Sequence, residues 1–265
     1  MKKVEFSKQL LTGLMLVELI SILSCSKDPE FPPASGKAVK LVEYISGGDY
    51  VKLAYNGEGD VSKITLSQDE YSSAGEVTYQ VSYLPGKKIN ELNGNNGVRI
   101  KLTYAGNSLV KSEAYVGNER AYETVYEYVD NNLRSTIIKL VEDNGVRPVL
   151  KLFTFCDNAG NPTTIDTYLI DQVTGEIRHN GFVIKKYDNK INPFAGNKDL
   201  MQVLLKPVSA NNVVGEDYFD TDINLRHSAE TEYTYNQEQM PVQARIKKTS
   251  TGKDPVVEIA QYSYK

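Results

Sequence analysis

Val51-Lys52-Leu53-Ala54-Tyr55 runs into Asn56-Gly57-Glu58-Gly59-Asp60 and then into Val61-Ser62-Lys63-Ile64. The stretch is an alternating run ending in an aromatic, a polar turn and a shorter apolar run. In an extended chain, residues i and i+2 share a face. Alternation of this kind therefore puts Val51, Leu53 and Tyr55 on one side and Lys52 and Ala54 on the other. Asn, Asp and Gly between the runs supply the left-handed backbone that tight hairpins require. The unit reads as a β-hairpin with one face in water.

The same unit recurs along the chain. Ile100-Lys101-Leu102-Thr103-Tyr104 leads into Ala105-Gly106-Asn107, and Tyr126-Glu127-Tyr128 into Asp130-Asn131-Asn132. Phe153-Thr154-Phe155 leads into Asp157-Asn158-Ala159-Gly160-Asn161, Tyr233-Thr234-Tyr235 into Asn236-Gln237-Glu238, and Tyr262-Ser263-Tyr264 closes the chain. With Tyr83 included, the anchors 55, 83, 104, 128 and 155 are 28, 21, 24 and 27 residues apart. Two short strands and two turns fill about that length. The prediction is an all-β protein: an antiparallel β-meander of hairpin repeats forming an open, curved sheet. Closure into a soluble β-barrel is the alternative.

Two regions depart from the repeat. Ile137-Ile138-Lys139-Leu140-Val141 and Val149-Leu150-Lys151-Leu152-Phe153 carry apolar residues on both faces, so these central strands should be covered on a second side. An insertion over 192–227 interrupts the pattern. Within it, Asn197 precedes apolar positions at helical spacing and Pro207 ends them, predicting a short helix near 198–206. A long Asn- and Asp-rich loop is expected from Ser209 to Asp222.

Residues 1–24 read as a signal peptide. Lys2, Lys3 and Lys8 form a positive start, and the apolar stretch Leu10–Leu23 is too short to span a membrane. Residues 25–36, with Pro29, Pro32 and Pro33, read as a tether. The remainder, 37–265, is expected to be a single domain. Ile22-Leu23-Ser24-Cys25 resembles the lipobox of bacterial lipoproteins, which implies acylation of Cys25 and anchorage to a lipid bilayer. Ser26-Lys27-Asp28-Pro29-Glu30 resembles the acidic export signal of Bacteroidota surface lipoproteins, which implies an outer-membrane address on the outer surface rather than the periplasmic side.

The tyrosine units resemble YD/RHS repeats. A broader resemblance is to Bacteroidota hairpin-repeat lipoproteins of unknown function, carried by Tyr187-Asp188-Asn189-Lys190-Ile191-Asn192-Pro193-Phe194 and Asn211-Asn212-Val213. That resemblance implies an open sheet exported to the envelope and brings no functional residues with it.

The chain's 265 residues carry 30 Lys and Arg against 34 Asp and Glu, a net charge of −4 with no basic block. This argues against nucleic acid as a partner. No Gly-x-Ser-x-Gly, His-Glu-x-x-His or Cys-x-x-Cys motif occurs. His179 and His227 read as solvated loop residues, and Cys156 as a small buried one. No cofactor and no catalytic residue is expected. Asp217, Asp220 and Asp222 are the weak candidates for calcium.

Tyrosine is the compositional outlier, at 18 against 7 phenylalanines. Aromatic faces stack on sugars or grip extended peptides, so Tyr126, Tyr128, Tyr233 and Tyr235 are the candidate ligand-binding residues. The functional expectation is a non-catalytic, lipid-anchored envelope protein binding a glycan or a protein partner. A structural subunit of an envelope complex is the alternative, and a polysaccharide-active enzyme a third.

Overall fold

A computed structural model describes residues 39–67, 75–129, 132–142, 145–204 and 208–265. The expected signal peptide, Cys25 and the expected tether lie outside these residues. Among the described residues sixteen strands follow one another, every neighbouring pair antiparallel. The first eight are β1 Leu41–Ser46, β2 Asp49–Tyr55, β3 Val61–Ser67, β4 Val77–Tyr83, β5 Ile89–Gly94, β6 Val98–Ala105, β7 Ser108–Val116 and β8 Glu119–Val129. The second eight are β9 Asn132–Glu142, β10 Gly145–Cys156, β11 Pro162–Ile170, β12 Ile177–Ile191, β13 Asn211–Phe219, β14 Leu225–Tyr235, β15 Pro241–Ser250 and β16 Val256–Tyr264. One helix, α1 Lys198–Val203, lies between β12 and β13.

The sheet is closed. β1 pairs with β16 from Leu41↔Tyr264 to Ser46↔Ala260, and Lys40 and Lys265 exchange two backbone hydrogen bonds at 3.0 and 3.1 Å. The expectation of an open, curved sheet is thereby corrected in favour of its alternative, a barrel. The physical reason is that a meander with one apolar face can bury that face by curling on itself, and joining the last two edges leaves no unpaired ladder. Tyr44 of β1 and Tyr262 of β16 lie side by side across this seam, their rings 5.0 Å apart.

The alternation sorts the wall. Val51, Leu53, Ile64, Leu92, Leu102, Ile138, Leu152 and Val183 point inward and are buried. On the outer face, charged residues pair along and across strands. Arg120 joins Glu113 at 2.7 Å and Glu123 at 3.1 Å, and Lys139 joins Glu123 at 2.9 Å. Lys52–Glu43, Arg99–Glu91 and Arg245–Glu232 continue the pattern elsewhere around the wall.

The aromatic anchors form a belt at one end. Tyr55 donates its hydroxyl to the Leu41 carbonyl (2.7 Å), Tyr83 to Val61 (2.8 Å) and Tyr128 to Leu109 (2.9 Å). Tyr187 donates to Pro162 (2.5 Å), Tyr233 to Val213 (3.1 Å) and Tyr264 to Pro241 (2.6 Å). In each case an even-numbered strand reaches back to the beginning of the strand before it. The repeat in the sequence is therefore a repeat of one inter-strand tie. β10 breaks the rule: Phe155 is exposed on the outer wall and Thr154 faces inward, buried, in its place.

Sixteen strands enclose more room than wall side chains fill. Here the insertion turns inward and plugs the belted end. All of Leu200, Met201, Gln202 and Val203 are buried, as expected of a helix surrounded on every side. Gln202 donates to the Tyr128 hydroxyl at 3.4 Å, and Asn197 donates to that of Tyr55.

The plug differs from the expectation in two respects. The helix ends at Val203, and Asn197 caps it without a side-chain hydrogen bond. The expected loop over Ser209–Asp222 is mostly β13. Among the central strands, the inner face is covered by the lumen. The outer residues Phe153 and Ile137 are half-buried among wall neighbours, with Lys151 over the Phe153 ring at 4.5 Å.

Candidate functional site

The end opposite the plug holds a luminal cavity of about 310 Å3. Its lower part is aromatic. Tyr44 touches Phe194 edge-on at 5.7 Å and Tyr262 at 5.0 Å, and Tyr262 lies 6.5 Å from Tyr233. Met201 of the plug and Asn212 of β13 also line it. Its upper part is polar. Lys248 and Glu258 form an ion pair at 2.9 Å, and the Ser46 hydroxyl donates to Glu258 at 3.5 Å. Asp49 is beside them.

Local sequence explains this layering. Along β16, Glu258, Ala260, Tyr262 and Tyr264 share the inward face, so charge lies towards the mouth and aromatics towards the belt. Along β1, Ser46 and Tyr44 repeat that order. Burial raises the hydroxyl pKa of Tyr44, Tyr233 and Tyr262 above the ordinary tyrosine value. These rings are therefore neutral hydrogen-bonding groups across the physiological range.

Of the four candidate tyrosines, one lines the cavity: Tyr233. Tyr126 is 3% exposed and shares a hydrogen bond of 3.2 Å with Ser112. Tyr128 is held between Leu109 and Gln202. Tyr235 donates to the Asp188 carboxylate and accepts from Asn212 at 3.4 Å. Alternation alone does not reveal that the aromatic face is the inside of a closed wall. Tyr44, Phe194 and Tyr262 are not among the residues that sequence reasoning singles out for binding, although Tyr262 stands in the repeat and Phe194 in the eight-residue element.

The weak calcium candidates are separated by their protein partners. Asp217 is on β13 facing Lys186 at 3.7 Å. Asp220 closes the β13–β14 turn, accepting from the backbone of Asn224 and Asp222 at 2.9 Å each and pairing with Arg226. The backbone N–H of Asn224, with Arg226 beside it, holds the Asp220 carboxyl below the usual carboxylate range. Among the described residues no group of three His, Cys, Asp or Glu gathers to hold a metal ion.

Both histidines stand on strands rather than in loops. His227 Nδ1 bonds Ser250 at 2.9 Å. His179 belongs to an outer aromatic row: Phe153–Tyr168 5.6 Å, Tyr168–His179 5.1 Å, His179–Phe182 6.4 Å, Phe182–Phe219 4.9 Å. Cys156 is half-buried at the end of β10.

A second charged group lies inside the wall. Lys185 is buried, with its ammonium 3.3 Å from Glu216 on the adjacent strand. Burial pulls its pKa down against the opposing pull of the carboxylate. Nearby strands also turn the hydroxyls of Thr136, Thr154 and Tyr122 inward, where they are buried without a protein hydrogen-bond partner among the described residues.

The fold and site define an antiparallel barrel, plugged at one end and hollow at the other. Its architecture is similar to that of a porin-like protein from Bacteroides uniformis, at 11% identity and a TM-score of 0.59, covering 86% of this chain and 95% of that one. A porin-like protein from Bacteroides vulgatus aligns at 14% identity and a TM-score of 0.46, covering 86% and 99%. No protein-family model matches the chain, and no curated protein is similar to it in sequence. The likeness to the Bacteroides uniformis protein is one of fold alone.

Proposed function

We propose that this is a non-catalytic, lipid-anchored protein of the bacterial cell envelope that binds a glycan in the mouth of its barrel. The observation that carries the reading is the luminal cavity, with aromatic rings below hydrogen-bonding side chains. Its volume is that of a small-ligand site. Aromatic faces stack on the C–H faces of sugar rings, and paired polar groups both donate to and accept from hydroxyls. A peptide partner added as an extra strand is disfavoured, because β1 and β16 leave no free edge.

Attachment falls to Cys25 in this reading. A membrane-spanning barrel faces lipid with an apolar band and keeps polar groups inside; here ion pairs such as Arg120–Glu113 and Lys139–Glu123 stud the outer face, and aliphatic residues fill much of the lumen beside the Lys185–Glu216 and Lys248–Glu258 pairs. Acyl chains on Cys25 would each contribute about 0.8 kcal/mol per buried methylene, and two chains anchor stably. The described chain begins and ends at the plugged end, where Lys40 pairs with Lys265. A tether of about 3.1 Å per residue would therefore hold the plug towards the bilayer and the mouth away from it. The name of the Bacteroides uniformis neighbour fits an envelope address, and the Ser26–Glu30 run favours the outer surface.

The outer aromatic row from Phe153 to Phe219 favours a second reading, a subunit that docks side-on within an envelope complex. Fractionation and a glycan array separate the two. The expected result is wild type in the outer-membrane fraction with a thioether-linked diacylglycerol on Cys25, Cys25→Ala released, and array binding by the wild type. An unmodified Cys25, or one in a disulfide with Cys156, overturns the anchor. A blank array together with a stoichiometric envelope partner overturns the glycan reading.

A further inference from the structure

The cavity has a floor. Phe194 and Met201 close it from below, and both belong to the inserted segment that fills the belted end. Leu200 of the plug and Tyr128 of the wall belong to the same buried cluster. The sides are layered. Tyr44, Tyr233 and Tyr262 stand next to the floor, while Ser46, Asp49, Lys248 and Glu258 stand towards the mouth. At the mouth the charges are engaged with each other: Lys248 with Glu258 at 2.9 Å and Ser46 with Glu258 at 3.5 Å. Asp49 also has a partner within the protein.

Resting on the glycan reading above, we infer that the barrel is a blind socket that takes the end of a neutral sugar chain, end-on, rather than a groove that grips the middle of one. A chain passing through would have to displace the plug from its buried seat. A chain end meets the rings with its terminal unit and the hydroxyl-bonding mouth with the unit behind it. The volume holds roughly one or two sugar rings. Selection for neutral units follows from the mouth, where the Lys248 ammonium is already held by Glu258 and Asp49 adds a second carboxylate, so that an acidic sugar meets no unbalanced cation and loses its hydration.

The full mature chain, extracted in detergent, is titrated with three probes: linear gluco-, galacto- and manno-oligosaccharides, a cyclodextrin that has no chain ends, and an oligogalacturonate. The expected result is binding of at least one linear neutral probe about tenfold or more tighter than either of the other two. Ser46→Phe narrows the mouth and weakens that binding by about tenfold. Glu258→Gln removes the carboxylate 2.9 Å from Lys248, makes the mouth less negative and moves preference towards oligogalacturonate. Phe153→Ala, on the outer wall, leaves binding unchanged, and the thermal transition of each variant reports that it folds. Equal binding of cyclodextrin and linear probes overturns end-on recognition while the glycan reading stands. Wild-type preference for oligogalacturonate overturns neutrality. No binding of any saccharide removes the glycan reading itself.

Discussion

Asp188 on β12 holds Asn212 on β13 twice: one carboxylate oxygen accepts the Asn212 backbone N–H at 3.1 Å, and the other accepts its side-chain amide at 3.3 Å. Tyr235 donates to the same carboxylate. Asn211 is tied alongside, accepting from Asn161 at 2.9 Å and donating to the Lys190 carbonyl at 3.0 Å. These ties clamp the two strands from which the plug departs and returns. The eight-residue element around Asp188 and the later Asn-Asn-Val thus meet in space, and their work is to hold the insertion in the lumen.

Asn212→Ala should therefore loosen the plug. The alanine keeps the backbone bond but loses the side-chain amide's hydrogen bond to the half-buried Asp188 carboxylate, at a cost of about 1.5–3 kcal/mol. Hydrogen exchange at residues 198–203 should accelerate more than exchange in β4–β8. Uniform acceleration would count against a local clamp.

The tyrosine ties predict a graded series. Tyr83→Phe and Tyr264→Phe each remove one hydroxyl-to-carbonyl bond, and each should lower unfolding free energy by about 0.5–1.5 kcal/mol in urea titration. Their sites are far apart around the belt, so the double variant should lose close to the sum.

Alkaline pH should unfold the barrel over a defined window. Burial pushes the hydroxyls of Tyr83, Tyr122 and Tyr128 up to about 12, against about 10 in an unfolded chain. A raised folded value means that this stabilisation is complete below pH about 10 and is lost as pH climbs through the folded values. Tyrosinate absorbance should rise together with loss of β-sheet circular dichroism. Stepwise ionisation of a still-folded barrel would contradict the assignment of these rings to the interior.

The Lys185–Glu216 pair distinguishes a stabilising contact from a tolerated one. Glu216→Ala leaves a buried ammonium uncompensated and should cost about 3–5 kcal/mol, whereas Lys185→Met with Glu216→Leu should be neutral or stabilising. Chemical denaturation of the three proteins checks this. A double variant as unstable as Glu216→Ala would mean the pair does more than balance its own burial.

Packing of the plug is tested by Leu200→Ala. Leu200 is 1% exposed, and emptying such a site costs about 2–5 kcal/mol. Faster exchange should then spread from α1 to the belt residues that Gln202 and Asn197 touch.

Several features are legible in the order of residues alone. The Val51–Ile64 unit and its copies specify hairpins, their faces and their turns, because side-chain alternation and turn chemistry are local. The helix expected near 198–206 is legible for the same reason, although it ends at Val203. The destination of the aromatic face is not legible in this way. Tyr126 and Tyr128 look like an exposed pair until β1 meets β16 and turns their face inward. Phe155 looks like Tyr128 in the repeat, yet it points outward with Phe153, and alternation does not say which of two faces is chosen.

By itself the amino-acid sequence determined that the chain would form successive antiparallel hairpins with one apolar side, interrupted once by an insertion carrying a short helix. Tertiary structure alone decided that the ribbon closes, that the apolar side becomes a lumen, and that the insertion blocks one end while leaving a cavity at the other. Local periodicity encodes what each strand buries. Closure depends on residues as distant as Tyr44 and Tyr262 meeting across the seam, and on the fact that a sheet with one apolar face hides it best by wrapping around it.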